Sequence, residues 1–462
     1  MQGAWSGRIL GLAAVVSLAV AWGGAGRDGV RASGLPQAPQ DPRLGMSIPD
    51  DPDAGVSELV SRITLENYKN TLHGLTRFGD RREGTQRNRD AVEWIAAQLE
   101  SFGCAPERMT YTPPPRNTGG GRQAAAARGQ GRGQQAGRGQ GRGQGGQGRG
   151  GQGRGAQAPP DLTTPTGGLV GRNGSGPGGS SIFGYRARTG VNNDPENQED
   201  EALRELNMGP VLDPPFPQVY CTKVGSTRPD EMFIVGAHMD GIGYGQAAND
   251  DGSGTALVME LARVFNAPGV TTDRSIRFAL WNGEEGGLRG ATAYVEQRRD
   301  LQGREDPPGS GRYPEPKWIA MIQHDMMMWD HGMPRPDGTV SRDQRPEADV
   351  NIEFQSSADL ADQAMRLAFF FKAANDRYAT DYPAAVGPHM TNTDSTPFMN
   401  IVPAISLREN ERGAQVGAGW DPNWHQVTDV MSTYTDKDFR LGLNAAQTTL
   451  AAIAHLSGAK VQ

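Results

Sequence analysis

Residues 232–254 read MFIVGAHMDGIGYGQAANDDGSG, and residues 275–290 read SIRFALWNGEEGGLRG. Each stretch opens with a short apolar run rich in β-branched and aromatic residues, as a buried strand does. The first run stops at His238 and Asp240, the second at Glu284 and Glu285. Between them, residues 254–265 carry apolar side chains at helical spacing. Strand, helix and strand in that order point to a layered α/β sheet. Acids and a histidine where buried strands stop are costly to fold unless something pairs them. A divalent metal pair does so, and the chain reads as a metallohydrolase.

The pattern extends outward from this centre. Further strands are expected at 219–224, 318–323 and 404–407, and helices at 290–298, 359–378 and 436–456. Gly252 and Ser253, just before the 254–265 helix, fit a tight turn and an N-cap. Upstream, Ala91, Trp94, Ile95, Leu99 and Phe102 share one face of a helix over 90–103, and 104–112 reads as a strand. Order is expected from about Val56.

Ligands of open α/β sheets gather beyond the carboxyl ends of the strands. His238, Glu284, Glu285 and Asp325 fall at such ends. Asp250 lies in a loop leading to a helix, and His425 in the late loop 424–429. Imidazole and carboxylate groups suit zinc, and manganese or cobalt would also accept them. A metal pair needs a carboxylate that reaches both ions. The residues alone do not choose between Asp250 and Asp251 for that role. His324 adjoins Asp325, so strand alternation points it away. His73, His331, His389 and His455 match no motif, and Met326, Met327 and Met328 read as packing at a strand end.

The chain has 462 residues and a net charge of −7, which argues against a nucleic-acid partner for the whole. Residues 113–160 hold eight arginines and no acid, leaving 38 basic against 53 acidic side chains elsewhere. Residues 119–155 are built from Arg-Gly-Gln units with almost nothing to bury, and read as a disordered surface insertion. Arg-Gly tracts can bind RNA, but this one lacks the Tyr or Phe for stacking.

Arg8 followed by the apolar residues 9–22 reads as a secretory signal, too short to span a bilayer. Export to the periplasm or the exterior is expected, with no stable membrane insertion. In an exported protein the two cysteines, Cys104 and Cys221, can form one disulfide; two buried free thiols are the alternative.

Ala237-His238-Met239-Asp240, Ala248-Asn249-Asp250-Asp251-Gly252-Ser253-Gly254 and Asn282-Gly283-Glu284-Glu285-Gly286-Gly287-Leu288-Arg289-Gly290 resemble the co-catalytic dizinc exopeptidases. That family holds the secreted bacterial leucyl aminopeptidases, glutamate carboxypeptidases and glutaminyl cyclases. The resemblance continues at Gln323-His324-Asp325-Met326 and Trp424-His425-Gln426-Val427-Thr428-Asp429. It implies a three-layer sandwich with a mixed central sheet flanked by helices. It also implies two Zn2+ ions, one on His238 and Asp325, the other on Glu285 and His425, with Asp250 bridging. Glu284 is then the general base and Asp240 the partner that hydrogen-bonds His238. The peptide bond Asp250–Asp251 is expected to be cis.

The implied activity is that of a secreted zinc aminopeptidase, releasing the N-terminal residue of peptide substrates by attack of a metal-bound hydroxide. A dipeptidase or carboxypeptidase of the same family, or a non-catalytic binding protein on the same fold, is the alternative. The chain departs from the family at Thr393-Asp394-Ser395, where many relatives have Ser-Asp-His, and at Asn392, where aminopeptidases often carry an oxyanion-steadying tyrosine. The expected division is a signal peptide over 1–25, a disordered lead-in over 26–55, the peptidase domain over 56–112 and 166–462, and the insertion over 113–165.

Overall fold

The apolar runs at 232–237 and 275–281 lie side by side as parallel strands, with Val235 paired to Phe278. Around them a computed structural model describes residues 48–113, 191–329, 350–388, 390, 392–409 and 421–462. The expected signal peptide, most of the lead-in and nearly all of the 113–165 insertion lie outside the described residues, as do His331 and His389.

The elements are α1 (Ala54–Ser61), α2 (Leu65–Thr76), α3 (Gln86–Ser101), β1 (Pro106–Tyr111), α4 (Glu201–Asn207), β2 (Phe216–Lys223), β3 (Arg228–His238), α5 (Gly254–Phe265), β4 (Val270–Thr271), β5 (Arg274–Trp281), α6 (Arg289–Arg298), β6 (Lys317–His324), β7 (Val350–Phe354), α7 (Ala361–Tyr378), β8 (Ala384–Gly387), β9 (Ala404–Arg408), α8 (Asp436–Ser457) and β10 (Lys460–Val461). Eight strands form one sheet in the order β1-β2-β5-β3-β6-β9-β7-β8. The centre, β5-β3-β6-β9, is parallel, whereas β1, β2 and β7 introduce antiparallel pairs. The sheet is therefore mixed, as expected.

Alternation along β3 explains the layers. Phe233, Val235 and Ala237 face a large core that also holds Leu257 and Leu261 of α5, Leu367 of α7 and Leu450 of α8. Met232 and Ile234 face the opposite core with Ala291 and Tyr294 of α6. Helices on both faces bury both sides of the central strands, which is why those strands read as nearly unbroken apolar runs.

Helix α5 spans the expected residues, but Ser253 does not cap it. Its backbone is already helical and its side chain makes no cap bond. The Asp251 carboxylate accepts the Gly254 N–H at 2.9 Å instead, while Ser253 Oγ donates to the Asn249 carbonyl at 2.7 Å. Helix α1 starts at Ala54 on the Asp53 side chain, slightly ahead of Val56. Short strands β7 and β8 and helices α1 and α2 had no clear signature in the sequence. Cys104 and Cys221 are joined in a disulfide, fastening the entry of β1 to β2. Among the described residues, no helix is long and apolar enough to cross a membrane.

Candidate metal centre

Strand β3 ends on His238, and its ring orientation follows from one contact. Nδ1 lies 3.0 Å from the Asp240 backbone oxygen, which can only accept. Nδ1 therefore carries a proton and Nε2 points inward. Nε2 lies 3.3 Å from Asp250 Oδ1 and 3.9 Å from Asp325 Oδ1.

Asp250 faces two histidines. Its other oxygen, Oδ2, lies 3.1 Å from His425 Nε2. The Asp250–Asp251 peptide bond is cis, and the two side chains part company there. Asp251 turns to the backbone, accepting N–H groups from His238 (3.1 Å), Gly254 (2.9 Å) and Met326 (3.1 Å). Of the two aspartates, Asp250 is the one that lies between the histidines.

Glu284 and Glu285 follow β5. Gly283, at φ +74°, turns the chain, and a Cβ there would sit 2.3 Å from Glu83 Oε1. Glu285 then meets His425 Nε2 at 2.8 Å. Asp240 differs from expectation. Its carboxylate stays 3.8 Å from His238 Nδ1 and instead accepts the backbone N–H groups of Glu284 (3.1 Å) and Glu285 (3.4 Å). Only its main-chain oxygen serves His238. The reason is local: two residues past the strand end the carbonyl already fills the Nδ1 direction.

Asp325 follows β6, and its Oδ2 pairs with Arg408 at 2.7 Å, both side chains being buried. His324 points the other way, to the Gly236 carbonyl and Thr449 Oγ1. Burial lowers its pKa to about 4. Met326 packs on Trp424, whose ring stacks against His425 at 3.9 Å.

Among the described residues three donor groups result: His238, Asp250 and Asp325; His238, Glu284 and Glu285; and Asp250, Glu285 and His425, with the donor atoms of each within 4.8 Å of one another. Burial alone would lower the pKa of His238, yet the charges of Glu284 and Asp251 and contacts with Asp250 and Asp325 raise it well above its usual value. His425 is lowered by burial but carried up to about 9 by Glu285 and Asp250. Burial, then the neighbouring glutamates, pushes Asp240 up to about 8. This is a pocket of concentrated negative charge that asks for cations. Two imidazoles and three carboxylates are a donor set that divalent zinc fits.

Several positioning residues escaped the sequence reading. The buried Arg81 guanidinium donates to the carbonyls of Met239, Gln246 and Ala247, pinning the loop between His238 and Asp250. Asp429 accepts the N–H groups of Asn249 (2.8 Å) and Asp250 (3.2 Å). Arg81 stands in a polar run that resembles any exposed loop. Arg408 did carry a signal, being a charge at the end of a buried strand. Asp394 is buried, and burial followed by the charge of Glu284 raises its pKa well above normal. Asn392 is exposed, with φ +60°.

A model of peptidase family M28 matches residues 219–449, half of the chain. The chain belongs to peptidase family M28. All five metal-ligand candidates and Glu284 lie within the matched M28 segment. The probable lipoprotein aminopeptidase LpqL of Mycobacterium tuberculosis is 26% identical over 231 residues, 49% of this chain and 42% of that one. Carboxypeptidase Q of Xenopus laevis is 36% identical over 94 residues, 20% of each chain. The chain thus aligns with less than half the length of these curated relatives. The LapA aminopeptidase of Legionella pneumophila shares the fold, with a TM-score of 0.53 at 15% identity over 93% of this chain and 80% of that one.

Proposed function

We propose that this M28 chain is an exported zinc aminopeptidase that releases the N-terminal residue of peptides. Two zinc ions are assigned, one to His238 and Asp325, the other to Glu285 and His425, with Asp250 shared. The observation that carries the reading is the placement of Asp250, whose two carboxylate oxygens face Nε2 of two different histidines at 3.3 and 3.1 Å. The aminopeptidase names of LpqL and other relatives support the direction of cleavage.

When bound, zinc acidifies water and polarises a carbonyl. The chain supplies the rest. Glu284 is buried beside this centre, and its backbone is held by Asp240. It takes a proton from the attacking water and returns it to the departing amine. His238 and His425 each turn Nε2 inward, and the Trp424 ring covers one face of His425. Asp251, Asp429 and Arg81 hold the backbone of the bridging loop, so Asp250 needs no rearrangement to reach both sides.

The test is metal content of the purified protein by elemental analysis, followed by turnover of matched dipeptides with free and acetylated amines. Two zinc ions per chain and cleavage of the free-amine series alone are expected. Absence of bound transition metal in active protein, or equal cleavage of acetylated substrates, would sink the reading.

A further inference from the structure

A cavity of about 490 Å³ opens beside the metal centre. Asp240, Glu285 and Gly286 line it, as do Arg82, Glu83 and Arg289. Its acids are already engaged. Glu285 faces His425, Asp240 takes two backbone N–H groups, and Glu83 accepts from Tyr111 Oη and pairs with Arg289. The arginines are less occupied. Arg289 gives Glu83 one of its nitrogens, Nη1, and its guanidinium lies over Gly286, 2.7 Å from where a Cβ would stand. Arg82 makes no ion pair among the described residues. Apolar walls from Leu212, Phe216 and Ile242 complete the cavity.

Resting on the aminopeptidase reading, we infer that this cavity is a substrate subsite that receives a carboxylate through Arg82 and Arg289, next to the bond being cut. Planar guanidinium groups suit a carboxylate fork, and apolar walls that displace water strengthen the pairing. Glycine at 286 leaves room for the Arg289 guanidinium, which a β-carbon there would crowd. The carboxylate is either the C-terminus of a dipeptide or an acidic side chain flanking the scissile bond. Both sources share one chemistry, and the cavity offers a carboxylate the guanidinium donors that its own acids leave open: Arg82, and Arg289 beyond its Nη1.

The experiment compares three matched pairs on the zinc-loaded enzyme: Ala-Ala with Ala-Ala-amide, Ala-Glu-amide with Ala-Gln-amide, and Glu-Ala-amide with Gln-Ala-amide. The carboxylate member of at least one pair is expected to show about tenfold higher kcat/KM, a span ordinary for a charged hydrogen bond. The pair that responds identifies the source. Arg82→Gln should raise the KM of that member and bring the ratio toward one. Calorimetric titration of the Glu284→Gln protein with the same pairs reads binding without turnover and should show the same preference. Equal affinities within every pair in that titration overturn the carboxylate subsite, whatever the turnover. Preferential binding with no turnover by the wild type retains the subsite and overturns the aminopeptidase reading instead.

Discussion

The Asp240 carboxylate accepts the backbone N–H of Glu284 at 3.1 Å while the Asp240 carbonyl meets His238 Nδ1 at 3.0 Å. One residue therefore orients a histidine donor through its main chain and the glutamate pair through its side chain. The main-chain contact survives any substitution at 240, whereas the side-chain contact does not. Asp240→Asn puts an amide N–H against a backbone donor and loses one of the two bonds. The expected outcome is a 10–100-fold fall in kcat, the usual scale for a group supporting metal ligands, with His238 still able to bind. Steady-state kinetics alongside zinc titration checks this. Normal kcat with weakened zinc binding would instead place the role of Asp240 on the histidine.

Glu284→Gln keeps the shape of the side chain and removes its basicity. A loss of at least ~10²-fold in kcat with zinc retained is expected for a general base. Measured metal content separates the two assignments of the Glu284–Glu285 pair. If turnover in this variant is near normal, the proton travels by another residue, and buried Asp394, whose pKa already responds to the Glu284 charge, is the first to examine.

Asp250 and Asp251 should fail in different ways. Asp250→Asn removes the shared carboxylate, and zinc binding should be lost with little change in the stability of metal-free protein. Asp251→Ala leaves three backbone N–H groups without their acceptor. It should cost about 3 kcal/mol or more, at roughly one per buried bond, seen in denaturant unfolding of the chelator-treated protein. The opposite pattern, with metal lost only in the Asp251 variant, would reverse the assignment.

These contrasts show where sequence was informative. The apolar runs of β3 and β5 are buried on both faces, so their composition alone marks them as central strands. Their ends carry His238 and Glu284 because that is where a sheet can present charge to a ligand. The Arg81 staple was illegible, since its meaning lies in carbonyls of residues 239, 246 and 247, far along the chain. The role of Asp251 was illegible for a related reason: its partners are backbone groups on three separate segments. Strands β7 and β8 are five and four residues long, too short for alternation to stand out.

Arg408 should matter most when zinc is absent. Its guanidinium and the Asp325 carboxylate form an ion pair at 2.7 Å with both side chains essentially buried. Removing one partner of a buried pair leaves the other charge uncompensated, which costs about 3–5 kcal/mol. Asp325 differs from an ordinary buried acid because its other oxygen faces the His238 end of the centre, 3.9 Å from Nε2. A bound zinc ion would therefore supply a second positive partner. Arg408→Leu should lower the Tm of chelator-treated protein by several degrees more than that of the zinc-loaded protein. Arg408→Lys, which keeps the charge but not the planar fork, should fall between Leu and wild type in the chelated form. Differential scanning calorimetry with and without zinc makes the comparison. An equal drop in both forms would mean that Arg408 acts by packing alone, and that Asp325 does not share its charge with the metal.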